Sequence, residues 1–311
     1  MLEYKISKTE MESWCKIPVS QLESHPDRRA EILLKDTRGE IAELVGNMMA
    51  DELIARNKAG EVTRWVLPSG PEDQYKTFIA RVNQERISLK NLWVFHMDEI
   101  LDWQCRPYPV ENRPESCEGR MLARFYGKID PELNVPEGQR IWPRIADLDY
   151  PDKLCKELGG SDTVWGGLGY KGLVAANESP QDPYFRISLE EYANSKTRII
   201  KKNVDSIIMK SERNFGGLYD RCDPFMLTLG FQVILSARRA VLMVTTGKWK
   251  STAIRVLLFS QPTLEYPATL MTERIPKVIL ACDRLTAKHP LEEKEIVLSN
   301  ENYGSGDHER L

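Results

Sequence analysis

The chain has 311 residues, with 43 lysines and arginines against 46 aspartates and glutamates, a formal net charge of −3 and 41% hydrophobic residues. Such a composition describes a globular protein with room for a sizeable core, and a charge so near neutrality gives no overall field to gather nucleic acid or an anionic membrane. No apolar run approaches the roughly 18 residues of a spanning helix, and the charged opening Met1-Leu2-Glu3-Tyr4-Lys5 does not read as a secretion signal, so a cytoplasmic location is expected.

The first periodic segment sets Ile41, Leu44, Val45, Met48, Met49 and Leu53 on one helical stripe, with Asp36 or Thr37 as cap and Gly60 beyond its end. Residues 63–67 (TRWVL) then read as a strand stopping at Pro68-Ser69-Gly70-Pro71, before a helix that packs on Tyr75, Phe78, Ile79 and Val82. A second strand signal, Leu92-Trp93-Val94-Phe95, ends at His96-Met97-Asp98-Glu99. From 102 to 150 proline-rich loops surround one amphipathic stretch (Met121, Leu122, Phe125, Tyr126), which reads as an insertion over the surface. A helix at 154–158 and a strand at 162–166 lead into Gly166-Gly167-Leu168-Gly169-Tyr170-Lys171-Gly172. Residues 240–245 form a further strand that ends at Gly247-Lys248-Trp249-Lys250 before a helix of about ten residues, and 277–282 is the last buried strand.

Strands separated by crossover helices predict an α/β fold, a three-layer α/β/α sandwich around a mainly parallel, Rossmann-like sheet. The expected organisation is an N-terminal extension over 1–35, a single α/β domain over 36–290, and a polar C-terminal tail over 291–311, partly disordered beyond a short helix. Trp65, Trp93 and Trp165 fall on strands and read as core, whereas Trp249 falls at the rim. Every unusual turn follows a strand, so ligand chemistry is expected in the crevice outside the strands' carboxyl ends.

The six cysteines contain no CxxC pair and the four histidines no HxxxH spacing, which predicts reduced thiols, no metal and no cofactor. Residues 167–172 do spell GxGxxG, with Glu190 and Glu191 about 20 residues on. A dinucleotide site needs a helix that starts inside the motif, however, and Pro180 and Pro183 leave little room for one. Glycines that merely permit tight packing are a further reading.

The longer string GGSDTVWGGLGYKGLVAANESP, residues 159–180, resembles the glucosamine-6-phosphate isomerase/deaminase family, whose segment reads approximately GGIDLxLxGIGxDGHIAFNEP. Phe95-His96-Met97-Asp98-Glu99 resembles its FNMDE, and Leu67-Pro68-Ser69-Gly70 its phosphate loop, two residues shorter here. Ser195-Lys196-Thr197-Arg198 resembles its SRTR, Thr228-Leu229-Gly230 its T-x-G, and Lys250 falls where the family has a lysine. The likeness is ordered from about residue 40 to 285. It implies the fold shared with ribose-5-phosphate isomerase and 6-phosphogluconolactonase, and a sugar-phosphate or sugar-acid ligand, with no nucleic-acid or membrane partner and homo-oligomers open.

The resemblance makes Asp98 the group that moves a proton between C1 and C2 of an open-chain sugar. Lys250, and Arg213 if one residue has been inserted, become phosphate contacts; Ser69, Gly70, Gly169 and Gly172 supply main-chain donors; Asn177 and Glu178 remain from the motif. The aspartate and histidine of the family's ring-opening relay are replaced by Lys171 and Leu173. His96, placed by strand alternation on the side of Asp98, is a candidate substitute acid or base, and Lys171 a candidate for binding a substrate carboxylate. Ile200 stands where members with an effector site carry a lysine, so that regulation is not expected. Three activities stay open: an isomerase or deaminase-like enzyme, a binder that no longer catalyses, and a sugar lactonase.

Overall fold

Short β-branched and leucine-rich runs cannot sustain helices, but they suit strands buried on both faces. The computed structural model describes residues 4–70, 72–112 and 115–292. Its strands are β1 (Glu31–Lys35), β2 (Thr63–Leu67), β3 (Leu92–His96), β4 (Asp98–Leu101), β5 (Arg140–Ile141), β6 (Thr163–Gly167), β7 (Arg198–Lys201), β8 (Phe225–Thr228), β9 (Arg239–Val244) and β10 (Lys277–Asp283). Seven of them form one sheet in the order β1-β10-β9-β6-β2-β3-β5, with every neighbouring pair parallel.

Alternation along β9 shows how both faces are covered. Val241 and Met243 join Trp65, Trp165 and Ile279 against Ile41, Val45 and Phe78 of the helices Arg38–Lys58 and Asp73–Gln84. Ala240, Leu242 and Val244 join Val66, Phe95 and Leu280 against Ile254, Val256 and Leu257 of the helix Ser251–Phe259. The result is the three-layer α/β sandwich that the pattern predicts. Trp65 and Trp165 are fully buried, meeting edge to face at 5.5 Å, and Trp93 packs half-buried against the other face's core. Of the two candidate caps, Thr37 is the one used: it accepts from the Glu40 amide, and Glu40 returns a bond to the Thr37 amide.

Three features differ from the expectation. The described part of the 1–35 extension is not separate, since residues 31–35 form β1 at the sheet edge, paired with β10. The stretch 102–150 is not only a surface cover: its helix Cys117–Arg124 buries Cys117, Glu118, Gly119 and Met121. A second sheet, β4-β8-β7, is wholly antiparallel and was not legible, because its strands are only four residues each. Of the polar tail, Glu292 pairs with buried Arg255, and the residues from 293 onward lie outside the described part. No described helix is long and apolar enough to cross a membrane.

Between β8 and the following helical turn, Gly230 lies against the main chain of Ser195 and Lys196. A Cβ at this position would stand 2.0 Å from the Ser195 carbonyl oxygen, and backbone cannot swing aside as a flexible side chain can. Gly230→Ala is therefore expected to lower unfolding stability by about 1–3 kcal/mol, read as a lower urea midpoint at unchanged slope; an unchanged midpoint would contradict this packing.

Candidate active site

The chain changes sheets within a single residue. β3 ends at His96 in the parallel sheet, while Asp98 begins β4, opposite Thr228 of β8. Met97 is the joint: its amide donates to the Leu67 carbonyl at 2.9 Å, and its carbonyl accepts from the Leu229 amide at 2.8 Å. Asp98 thus stands half-buried at the carboxyl ends of the central strands, close to where the strand order reverses around β6.

Glu99, next along the chain, is buried and acts as an anchor. Its carboxylate accepts from the amides of Cys117 at 2.6 Å and Glu118 at 2.9 Å, at the start of the helix Cys117–Arg124. A carboxylate there satisfies amides that the helix itself leaves unbonded. This fixes Cys117, whose Sγ lies 3.7 Å from an Asp98 oxygen, and Arg120, whose Nη2 donates to Ser69 Oγ at 3.0 Å and also reaches the Cys117 sulfur at 3.0 Å. Burial pushes the Asp98 carboxyl up from its ordinary value, opposed by the positive charges of Arg120, Lys202 and Lys210.

Lys202 follows β7 and is buried, with Nζ donating to the main-chain oxygen of Asp223. Burial brings it down to about 8, and it also faces Glu178, whose carboxyl burial pushes up to about 7. Glu178 accepts from Ser206 Oγ at 3.0 Å. Cys117, Arg120, Lys202 and Lys210 were missed by sequence reasoning. They lie outside the motifs, and only the i, i+3 spacing of Cys117 and Arg120 on an amphipathic stretch hinted at a shared face.

Lys250 and Arg213 are brought together by Trp249. The Arg213 guanidinium lies 4.2 Å above the indole, the Lys250 ammonium 4.9 Å from its centroid, and Tyr170 of the glycine turn packs at 6.2 Å. Lys250 is buried and bonds to the Leu168 carbonyl; burial first, then Arg213, bring it down to about 8.

Other candidates change meaning. No long helix begins inside the glycine turn; Tyr170–Gly172 is a single tight turn in which Lys171 has φ 52° and Gly172 φ 64°. The amides of Gly169 and Gly172 donate to Leu173 O at 2.8 Å and Gly169 O at 3.0 Å, so they are already committed rather than open to a ligand. Asn177 is fully buried, its Nδ2 bonded to the carbonyls of Val174 and Leu229, and holds the loop instead of facing a ligand. Lys171 pairs with Asp205 at 3.0 Å. Ser69 and Gly70 end the β2 loop, with Ser69 engaged by Arg120 and open space beside Gly70.

His96 does not join the cluster. The alternation that would put it beside Asp98 breaks at Met97, and its ring stacks on Trp142 at 3.4 Å with Nε2 bonded to the Tyr126 hydroxyl at 2.9 Å. Burial, with Arg140 and Arg144 nearby, holds it well below the ordinary histidine range and neutral. Neither of two cavities includes the cluster. One of about 470 Å³ opens at the strands' amino ends among Glu52, Arg56, Asp162 and Arg239; the other, of about 430 Å³, lies between Tyr108, Glu115, Asp220 and Asp223. No group of three or more potential metal ligands occurs among the described residues.

No model of a known protein family matches the chain. It is similar to the glucosamine-6-phosphate deaminase of Caenorhabditis elegans, 26% identical over 229 residues that cover 72% of this chain and 79% of that one. The glucosamine-6-phosphate isomerase of Candida albicans is 28% identical over 227 residues, covering 71% and 84%. Among solved structures, a monomeric glucosamine-6-phosphate deaminase superposes with a TM-score of 0.67 at 23% identity, covering 82% of this chain and 98% of that one. A 6-phosphogluconolactonase from Trypanosoma cruzi superposes with a TM-score of 0.60 at 15% identity, covering 85% and 98%.

The raised Glu178 has a consequence for stability. Its folded value of about 7 exceeds the ordinary 4.5, so its protonation favours the fold fully below about 4.5, and this contribution is lost as pH rises through about 7. Glu178→Gln should remove that decline, gaining stability relative to the parent between about pH 5 and pH 8 in urea melts. Parallel pH dependences for the two proteins would show that Glu178 titrates normally.

Proposed function

We propose that the chain, 26–28% identical to a glucosamine-6-phosphate deaminase and a glucosamine-6-phosphate isomerase, is a divergent member of that family, a cytoplasmic sugar-phosphate enzyme in which Asp98 carries a proton between C1 and C2 of an open-chain sugar phosphate. The observation that carries this reading is the setting of Asp98: a half-buried carboxyl, raised by burial, fixed where two sheets meet, and faced by cations. A base so placed is reachable yet rigid, and its raised pKa narrows the gap to the carbon acid it must deprotonate.

Lys250 and Arg213 would hold the phosphate, since both are cations left without carboxylate partners among the described residues and both lie on Trp249. Ser69 and Gly70 would border it from the β2 loop. Leu173, packed onto Gly169, has no proton to give, and Lys171 is held by Asp205. Without that relay the substrate would arrive with its ring already open. Glu178, near 7, would be the remaining group able to exchange protons at neutral pH.

With fructose 6-phosphate in heavy water, the parent should wash deuterium into C1, and Asp98→Asn should slow that exchange by about 10²- to 10⁴-fold while binding changes little. A parent that binds the sugar to saturation and exchanges nothing would instead be a binder.

A further inference from the structure

Several cations of this protein are neutralised by a fixed carboxylate. Half-buried Arg64 meets Asp162 at 2.9 Å, exposed Arg144 pairs with Glu118, and fully buried Arg255 pairs with Glu292. Around Asp98 the pattern is different. Arg120 donates to a hydroxyl and a thiol, both neutral, and its buried Nε has no hydrogen-bond partner. Lys202, 8% exposed, bonds only to a main-chain oxygen. Lys210 has no hydrogen bond or ion pair among the described residues.

Of the nearby acids, Glu178 is held by Ser206 and pushed towards its neutral form by burial, and the others are spent elsewhere. Glu99 is held by backbone amides, Asp223 accepts from Tyr108 at 2.6 Å, and Asp205 pairs with Lys171. Three cations therefore converge on one carboxylate, from the helix Cys117–Arg124, from the end of β7 and from the helix Val204–Phe215. Leaving buried charge without a partner is costly, and such clusters mark places where a ligand completes the balance. Lys210 lies one turn from Arg213 on the same helix, so the two groups of cations adjoin along one face.

We propose that Arg120, Lys202 and Lys210 form a second anion subsite beside Asp98, next to but distinct from Lys250 and Arg213, which takes an anionic oxygen at C1 or C2 of a phosphorylated sugar. This rests on the phosphate reading above and narrows the substrate class to sugars with charge at both ends. The second charge comes either from a carboxylate carried by a sugar acid or from the enediolate that forms when Asp98 removes a proton from a neutral sugar. In the second case, the C–H electron pair forms the C1=C2 double bond, the carbonyl π pair passes to its oxygen, the proton resides on Asp98, and the cations face the resulting oxyanion.

The test compares two probes of equal length by calorimetry: gluconate 6-phosphate, with a carboxylate at C1, and glucitol 6-phosphate, with a neutral alcohol there. The parent should bind gluconate 6-phosphate at least about tenfold more tightly, as charge-assisted bonds exceed neutral ones. Lys202→Met and Lys210→Met should each shrink that preference several-fold while affinity for glucitol 6-phosphate stays within about threefold, and Lys202→Arg should restore it. Lys210 has no described partner to lose, so its variant remains informative if Lys202→Met folds poorly. Equal affinity for the two probes, or a preference that survives both methionine variants, would overturn the subsite. Unchanged affinity for both probes in Lys250→Met, with the parent's preference for gluconate 6-phosphate still lost in the Lys202 and Lys210 variants, would instead remove the phosphate reading and leave the C1 subsite. Slower deuterium exchange of fructose 6-phosphate in both variants assigns the charge to the enediolate; unchanged exchange assigns it to a substrate carboxylate.

Discussion

Met97 is the residue on which the arrangement turns. It binds the end of β2 through its amide and the β8 loop through its carbonyl, so the chain leaves a parallel sheet and enters an antiparallel one without a loop between them. A side chain on a free loop would lose conformational entropy each time it engaged a ligand. Asp98 is instead fixed by ladder bonds on one side and by the Glu99-anchored helix on the other. Glu99 and Asp98 divide the work: the first carboxylate is used up in holding a helix, which leaves the second as the one that can act.

On the proposed reading, the cluster compensates for a missing relay without restoring it. Lys171 and Leu173 remove the acid and the histidine expected from the family's motif, and nothing in the glycine turn replaces them. What is present is positive charge brought from other elements, through Arg120, Lys202 and Lys210. Cations cannot perform the proton relay of a carboxylate–histidine pair, but they can stabilise negative charge. On that reading, the site suits an open-chain ligand better than one whose ring must be opened.

Much of the parallel sheet was legible because its strands are buried on both faces and punctuated by glycine and proline turns, as at Pro68-Ser69-Gly70 and after Gly166. Motif resemblance put Asp98, Lys250 and Arg213 forward as candidates; their contacts on Trp249 and beside Cys117 were not legible. Alternation failed for His96, since a period-2 argument assumes one continuous strand and the sheet changes at Met97. The glycine turn suggested open main-chain donors, yet the left-handed backbone of Lys171 and Gly172 turns those amides inward. Arg120 and Lys202 were invisible because long-range approach between an inserted helix and a strand end leaves no local pattern. β1 was missed because Glu31 and Lys35 flank only three apolar residues.

A crystal structure with glucitol 6-phosphate bound tests the account most directly. It should show the phosphate against Lys250 and Arg213 and the C1 hydroxyl within hydrogen-bonding distance of Asp98. A phosphate lodged instead among Arg56, Arg238 and Arg239, in the cavity at the strands' amino ends, would contradict it.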